Sequence, residues 1–206
     1  MAKEGMREFA DRVAEASPFP GGGSVAALAG SLAAALGEMM AGLTEGRAKY
    51  SNVDSRVREI HQELKDARNE LQDLVQQDTA AFQSFLDAMN LPKSLEKEKA
   101  VRSEAIESAI KRATETPIQT ARAALQVLER LRVLIEIGNP NARGDVAVGA
   151  QLACAALKGA QYNVLCNIPG IKDRAFAESG RTEVADLARR AQEILQQINS
   201  MMMEGS

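Results

Sequence analysis

The 206-residue chain has no tryptophan, one histidine and two cysteines, and aromatic residues make up only 3% of it. With so few histidine and cysteine side chains, the usual four-ligand zinc site lacks ligands. Cys154 and Cys166 would be about 18 Å apart on one helix, whereas the Cα atoms of a disulfide lie within about 7 Å of each other. The sequence therefore predicts no disulfide, no metal and a reducing compartment.

The sequence also lacks a strong charge of either sign. Its 25 Lys and Arg residues nearly balance 28 Asp and Glu residues, and the formal net charge is -3. Nucleic-acid binding needs a basic field, so DNA and RNA are poor candidate partners. Residues 16–37 carry no charge, but two prolines and the Gly21–Gly23 run leave fewer than the roughly 20 apolar residues that a bilayer span requires. We expect a cytoplasmic protein with no membrane partner.

What the sequence does contain is alanine, which favours helices over strands. Apolar spacing predicts six or seven helices and no strand, the first from about Lys3 to Ala16. The Ser17–Ser24 segment, rich in proline and glycine, ends this helix. A second helix reaches about Thr44 and is expected to be central, because small side chains along one stripe allow close helix packing. The stripe consists of Ala26, Gly30, Ala33, Gly37 and Ala41.

The third predicted helix, about Asn52 to Asn90, contains a heptad seam with one carboxylate in it. A buried carboxylate is costly unless it is hydrogen-bonded, and burial raises its pKa. Asp78 is therefore a candidate functional residue, although a polar seam residue can also set the register of helix packing. The seam positions are Val53, Val57, Ile60, Leu64, Ala67, Leu71, Leu74, Asp78, Ala81, Phe85 and Ala88.

The rest of the chain is predicted as further helices. One spans about Ser94 to Thr116, and Pro117 starts or kinks another that reaches Ile137. After a turn at residues 138–141, a second small-residue helix ends near Asn167, and an amphipathic helix covers residues 182–202. No repeat or linker divides the sequence. These features predict an all-α, single-domain, up-and-down helical bundle over residues 1–206, with one long helix of about 40 residues.

Several short segments occur in the order found in one known family. They are PFPGGGSVAALAG from Pro18, LTEGRAKY from Leu43, DTAAF from Asp78, LPK from Leu91, Gly138-Asn139 with Asp145, and YNVLCN from Tyr162 with IKDRAF from Ile171. In this combination the chain resembles the formiminotetrahydrofolate cyclodeaminase and methenyltetrahydrofolate cyclohydrolase family. The resemblance implies a helical homodimer that acts on a tetrahydrofolate derivative without a tightly bound cofactor.

The resemblance also implies chemistry at the carbon carried between N5 and N10 of the folate. In cyclodeamination, N10 attacks the formimino carbon on N5, and the adduct expels ammonia to leave the methenyl cation. In cyclohydrolysis, water attacks that cation and the ring opens to a formyl group. Cyclodeamination is the first hypothesis, because the motifs closely resemble those of the cyclodeaminase domain. Cyclohydrolysis is the second, because the chain is expected to stand alone, without the transferase domain that supplies formiminofolate in bifunctional relatives. The sequence does not separate these two reactions. A non-catalytic folate-binding or scaffold module is the third hypothesis.

The resemblance and the residue chemistry together give the expected site. Asp78 is the expected catalytic residue, because a carboxylate can accept a proton and stabilise the cation. Helix N-termini offer free N–H groups to an anion or a pterin edge, and arginine pairs with the carboxylates of a folate tail. Each substrate-binding candidate has the alternative of being a helix cap or a solvated loop residue. These candidates are Gly21, Gly22, Gly23, Ser24, Arg47, Tyr50, Lys93, Asn139, Asp145, Asn163 and Asn167.

Overall fold

The computed structural model describes residues 5–204, in which the chain forms six α-helices, three short 3₁₀ helices and no strand. The α-helices are α1 (Met6–Ala14), α2 (Gly22–Thr44), α3 (Asp54–Met89), α4 (Glu96–Ile137), α5 (Arg143–Asn167) and α6 (Arg174–Glu204). The 3₁₀ helices are Ala48–Tyr50, Pro140–Ala142 and Ile168–Gly170. The all-α prediction is confirmed. Lys3, the predicted start of the first helix, lies outside the described residues.

Helix α2 lies at the centre of the bundle and packs against α3, α4 and α5. Glycine makes this close packing possible. A Cβ atom added at Gly30 would lie 3.0 Å from the Leu71 side chain, and one added at Gly37 would lie 2.6 Å from Leu131. The predicted small-residue stripe therefore does bring other helices against the backbone of α2.

Helix α3 uses its heptad seam to pack within this same chain. Six seam positions, from Val57 to Leu74, are buried against the neighbouring helices α2 and α4. Each fully buried leucine contributes roughly 1.5–3 kcal/mol through removal of its surface from water. From Asp78 onward most seam positions are only half-buried, so the seam opens toward the end of the bundle where α2 begins.

Helix α4 corrects the prediction of two helices separated at Pro117. It is a single helix of 42 residues that continues through this buried proline. Proline has no N–H to donate to the carbonyl of Ala113, four residues earlier. The side-chain amide of Asn167 donates to that carbonyl instead, at 2.9 Å. With α3 at 36 residues, the protein has two long helices rather than the one that the sequence predicts.

The uncharged segment near the N-terminus is also longer as a helix than the sequence predicts. Helix α2 begins at Gly22 and runs for 23 residues, so the argument that it is too short to cross a bilayer is wrong. Within residues 5–204 it is the one helix with enough length and apolar character for such a span. Half of its most apolar window is buried inside the bundle. The absence of a membrane partner stays a prediction.

Candidate active site at the N-terminus of α2

Asp78 of α3 contacts the first turn of α2. The hydroxyl of Ser24 donates a hydrogen bond to Asp78 Oδ2 at 2.7 Å, and the backbone N–H of Ser24 also interacts with this carboxylate. Ser24 is fully buried, and its Oγ lies 3.4 Å from Thr79 Oγ1. The seam carboxylate is thus held by the helix N-terminus, where the helix dipole favours negative charge.

Gly23 explains how the carboxylate comes so close to α2. A Cβ atom at this position would lie 2.1 Å from Asp78 Oδ1 and 2.7 Å from its Cγ, inside any allowed contact distance. The chain's own carboxylate therefore occupies the space beside the start of α2. The sequence predicts that the N–H groups of this turn bind the substrate. In the structure, however, the backbone N–H of Ser24 already interacts with the Asp78 carboxylate.

Burial raises the pKa of Asp78 above the ordinary value of an aspartate, and the hydrogen bonds from Ser24 offset only part of this effect. Desolvation penalises the charged form, whereas a donated hydrogen bond favours it. A carboxylate with a raised pKa is a stronger base and a more useful proton donor near neutral pH than an ordinary aspartate. The electrostatics at Asp78 thus suit proton transfer.

Two phenylalanines that the site prediction missed lie beside Asp78. Phe82 is one helical turn after Asp78 on α3, and its ring centroid is 6.4 Å from that of Phe19 and 6.2 Å from that of Phe85. Phe19 and Phe82 are both half-buried, so each keeps part of its ring accessible. Their positions, just before the glycine turn and four residues after Asp78, are the signal that could have indicated them.

Three further predicted residues lie toward this end of α2 or beyond it. Asn163 is beside the glycine turn, since its Nδ2 is 3.6 Å from where a Gly22 Cβ would be, and it donates to the carbonyl of Gly159. Asn167 is one turn further along α5, and its side-chain amide donates a hydrogen bond to the Ala113 carbonyl of α4. Lys93 is exposed in the loop after α3, whose last residue, Met89, lies about 17 Å beyond Asp78 along the helix axis. Substrate contacts of all three stay predictions.

The other predicted residues lie at the opposite end of α2. Arg47, Tyr50, Asn139 and Asp145 are placed near Thr44, which is about 33 Å from Gly22 at 1.5 Å per residue. The backbone N–H of Asn139 donates to Thr44 Oγ1 at 2.9 Å, while Arg47 and Asp145 are exposed. Within one chain, the structure does not bring these four residues together with Asp78.

The segment that carries Arg47 is anchored to the start of α3. Gly46 has a positive φ of 71°, which favours glycine, and its N–H donates to Asp54 Oδ1 at 2.6 Å. Glu45 accepts a hydrogen bond from Arg58 at 2.6 Å, and one of its oxygens lies 2.9 Å from His61 Nδ1. The exposed basic residues Arg47 and Lys49 thus project from an ordered turn.

Comparison with known proteins gives similarity over most of the chain. A family profile described as "Formiminotransferase-cyclodeaminase" matches residues 5–186. The methenyltetrahydrofolate cyclohydrolase of Methylorubrum extorquens is 34% identical over 188 residues, 91% of this chain and 90% of that protein. The formimidoyltransferase-cyclodeaminase of Sus scrofa is 32% identical over 90% of this chain, which spans only 34% of that longer protein.

A solved structure agrees with these sequence relatives. The formiminotetrahydrofolate cyclodeaminase of Thermotoga maritima aligns with a TM-score of 0.88 and 30% identity, covering 98% of this chain and 97% of that one. The helical fold and these relatives define a folate one-carbon enzyme. The chain belongs to the formiminotransferase-cyclodeaminase family, which confirms the resemblance drawn from the ordered motifs.

Proposed function

We propose that this enzyme acts at the carbon that joins N5 and N10 of tetrahydrofolate, with Asp78 as its catalytic residue. The observation that carries the proposal is a half-buried carboxylate of raised pKa, held by the Ser24 hydroxyl at 2.7 Å. Such a group can exchange a proton with the attacking or leaving atom, and its charge stabilises a methenyl cation. No other residue type in this site combines both properties.

Cyclohydrolysis of methenyltetrahydrofolate is the first candidate reaction. It is favoured by the Methylorubrum extorquens cyclohydrolase, whose similarity covers nearly the full length of both chains at 34% identity. In this reaction Asp78 accepts a proton from water as the water oxygen bonds to the cationic carbon. Asp78 then returns that proton to N5 as the carbon–N5 bond breaks. The hydroxyl proton of the adduct goes to solvent, which leaves 10-formyltetrahydrofolate.

Cyclodeamination, the first expectation from the sequence, is the second candidate. It is favoured by the Thermotoga maritima cyclodeaminase, because the structural match covers 97% of that protein's chain. Here N10 attacks the formimino carbon, and the proton that N10 loses passes to the imino nitrogen to give an amino group. Asp78 in its protonated form then donates a second proton to that nitrogen, so that ammonia leaves and the methenyl cation remains. The two reactions share this cation, and one site with a single carboxyl serves both.

The test is the near-ultraviolet absorbance of methenyltetrahydrofolate, measured with the wild-type protein and each substrate. Accelerated decay of methenyltetrahydrofolate would support cyclohydrolysis. Absorbance that rises from formiminotetrahydrofolate, together with release of ammonia, would support cyclodeamination. Absence of turnover with both substrates would contradict the proposal and favour the third hypothesis, a binding or scaffold module.

We predict that Phe82→Leu weakens substrate binding more than it slows chemistry. A pterin is planar, and stacking of a planar base on an aromatic ring is worth about 1–3 kcal/mol, so KM should rise roughly 10-fold with kcat little changed. The measurement is steady-state kinetics with methenyltetrahydrofolate.

The matched control is Phe85→Leu, which lies about one turn after Phe82 on α3. Phe85 packs against the smaller core cluster around Ile110 and Val164, so this variant should lose stability without the same change in KM. Equal KM effects of the two variants would remove Phe82 from the binding surface.

A homodimer, a cytoplasmic location and the absence of a tightly bound cofactor belong to the proposal as well. The homodimer is implied by the family resemblance. An apolar surface on α2 that could support it is present in the structure, because several large apolar side chains of this helix are exposed.

A further inference from the structure

The hydroxyl of Ser24 has a single proton, and this proton is committed to Asp78. Ser24 is fully buried, so its hydroxyl is shielded from bulk water. Its Oγ donates to Asp78 Oδ2 at 2.7 Å, a distance typical of a hydrogen bond to an ionised acceptor. A hydroxyl that donates to a carboxylate favours the charged form of that carboxylate, so Ser24 acts against the effect of burial.

Thr79 places a second hydroxyl behind that of Ser24. Its Oγ1 lies 3.4 Å from Ser24 Oγ, and its side chain is half-buried. Because the proton of Ser24 already points to Asp78, Thr79 is the donor in this contact. The two hydroxyls thus form a short chain directed at the carboxylate, and hydrogen bonds in such a chain strengthen one another.

Within residues 5–204, no charged side chain takes the place of Ser24 beside Asp78. Burial and Ser24 are the causes that set the pKa of Asp78, and α2 has no charged residue before Glu38. The titratable Tyr162 and Cys166 of α5 are exposed. The balance between the charged and neutral forms of Asp78 therefore depends on Ser24. The charged residues at this level on the surrounding elements, none of which forms an ion pair with Asp78, are Glu15 before the glycine turn, Asp73 on α3, Glu115 and Arg122 on α4, and Lys158 on α5.

The two candidate reactions need Asp78 in opposite forms. Attack of water on the methenyl cation needs an ionised carboxylate, which takes the proton of the water and stabilises the cation. Expulsion of ammonia needs a protonated carboxyl, which donates its proton to the departing nitrogen. A group that shifts Asp78 between these two forms therefore changes which reaction runs faster at a given pH.

We propose that Ser24 is a positioning residue that keeps Asp78 ionised and thereby biases the site toward hydrolysis of the methenyl cation over expulsion of ammonia. The inference rests on the proposed function, because it concerns how the same carboxyl is used. Gly23 and Ser24 have separate roles in it. Gly23 leaves the space that the carboxylate occupies, and Ser24 stabilises the charge of that carboxylate.

The pH dependence of kcat/KM for Ser24→Ala tests the proposal, because it reports the ionisation of groups in the free enzyme. Loss of a hydrogen bond to a charged group should move the limb that Asp78 controls by about one pH unit or more. With methenyltetrahydrofolate, the acid limb should move to higher pH, and the rate on that limb should fall roughly 10-fold. With formiminotetrahydrofolate, the alkaline limb should move to higher pH, and the rate on that limb should rise roughly 10-fold.

Ser31→Ala is the matched control. Ser31 is another buried serine of α2, but its hydroxyl donates to the Leu28 carbonyl at 2.9 Å, so this variant should keep both limbs at the wild-type pH. Ser24→Thr retains the hydroxyl and should return the limbs toward their wild-type position, even where its added methyl group lowers stability. If Ser24→Ala slowed the reaction equally at every pH, Ser24 would have a structural role only and the proposal would be overturned.

Denaturant unfolding at a series of pH values tests the same contact without any turnover. Ser24→Ala should lose more stability relative to the wild type as pH rises through the raised pKa of Asp78, because the hydrogen bond is stronger to the charged form. In an Asp78→Asn background, the loss from Ser24→Ala should be the same at every pH. A loss independent of pH in both backgrounds would overturn the proposal. An inactive wild type whose Ser24→Ala loss still grew with pH would instead contradict the proposed function and leave the link between Ser24 and Asp78 intact.

Discussion

Asp78→Asn is expected to lower kcat by roughly 10²–10⁴-fold, the loss that follows removal of a general acid–base group. The asparagine oxygen can still accept the hydrogen bond from Ser24, which Asp78 accepts at 2.7 Å, so the local packing should survive. The amide cannot exchange the proton or stabilise the cation. The measurement is the initial rate of methenyltetrahydrofolate decay or formation, with KM determined in the same experiment.

The same substitution is expected to raise the free energy of unfolding at neutral pH. Burial raises the pKa of Asp78 in the folded state, so the folded protein binds this proton more tightly than the unfolded chain does. Stability from this carboxyl is therefore complete below the ordinary aspartate pKa and is lost as pH rises through the raised value. Denaturant unfolding from acid to neutral pH should show a growing advantage for the asparagine variant.

Asp73→Asn is the matched control for the kinetic measurement. Asp73 is an exposed residue of the same helix, outside the site, so its replacement should leave kcat unchanged. If Asp78→Asn kept wild-type kcat, Asp78 would have no part in the chemistry. If the free energy of unfolding of Asp78→Asn equalled that of the wild type at every pH, burial would not destabilise the Asp78 carboxylate.

Gly23→Ala is expected to reduce kcat by about 10²-fold or more through displacement of Asp78. The new Cβ would lie 2.1 Å from Asp78 Oδ1, so the carboxylate must swing away from Ser24. A misplacement of about 1 Å can cost 10²-fold in rate. Because the clash is with the end of a side chain that can rotate, thermal stability should fall far less than activity.

Gly42→Ala provides the comparison on the same helix. A Cβ at Gly42 would meet only the His61 ring at 3.9 Å, an ordinary contact. Alanine in a helix is favoured over glycine by about 0.5–1 kcal/mol, so this variant should be active and slightly more stable. Equal loss of activity in the two variants would show that helix flexibility, rather than the position of Asp78, limits the rate.

The sequence predicted most helices because helix packing leaves a periodic pattern of apolar residues. The seam of α3 is the clearest case, since one polar residue in a regular apolar series identified Asp78 before any coordinates. Pro117 was misjudged because the rule for proline is local. The hydrogen bond that lets α4 continue comes from Asn167, which lies 54 residues further along the chain than Ala113.

The candidate site was predicted only in part, because the order of motifs along a chain does not give the distances between them in the folded structure. The motifs around Gly21–Ser24 and Asp78 meet in the structure, and that contact depends on Gly23 having no side chain. The motif with Arg47 and Tyr50 follows in sequence but lies at the far end of α2. Phe19 and Phe82 were missed because isolated phenylalanines beside a helix start also suit a hydrophobic core.

The link between Asn167 and α4 has a consequence for the order of folding. Without a donor for the Ala113 carbonyl, the middle of α4 contains an unsatisfied backbone group, so a partly folded chain holds this turn weakly. The missing hydrogen bond forms only when the end of α5 docks. We therefore expect the two halves of α4 to become one rigid helix late, after the polypeptide has folded back on itself through α5, and we expect formation of the bundle to be cooperative.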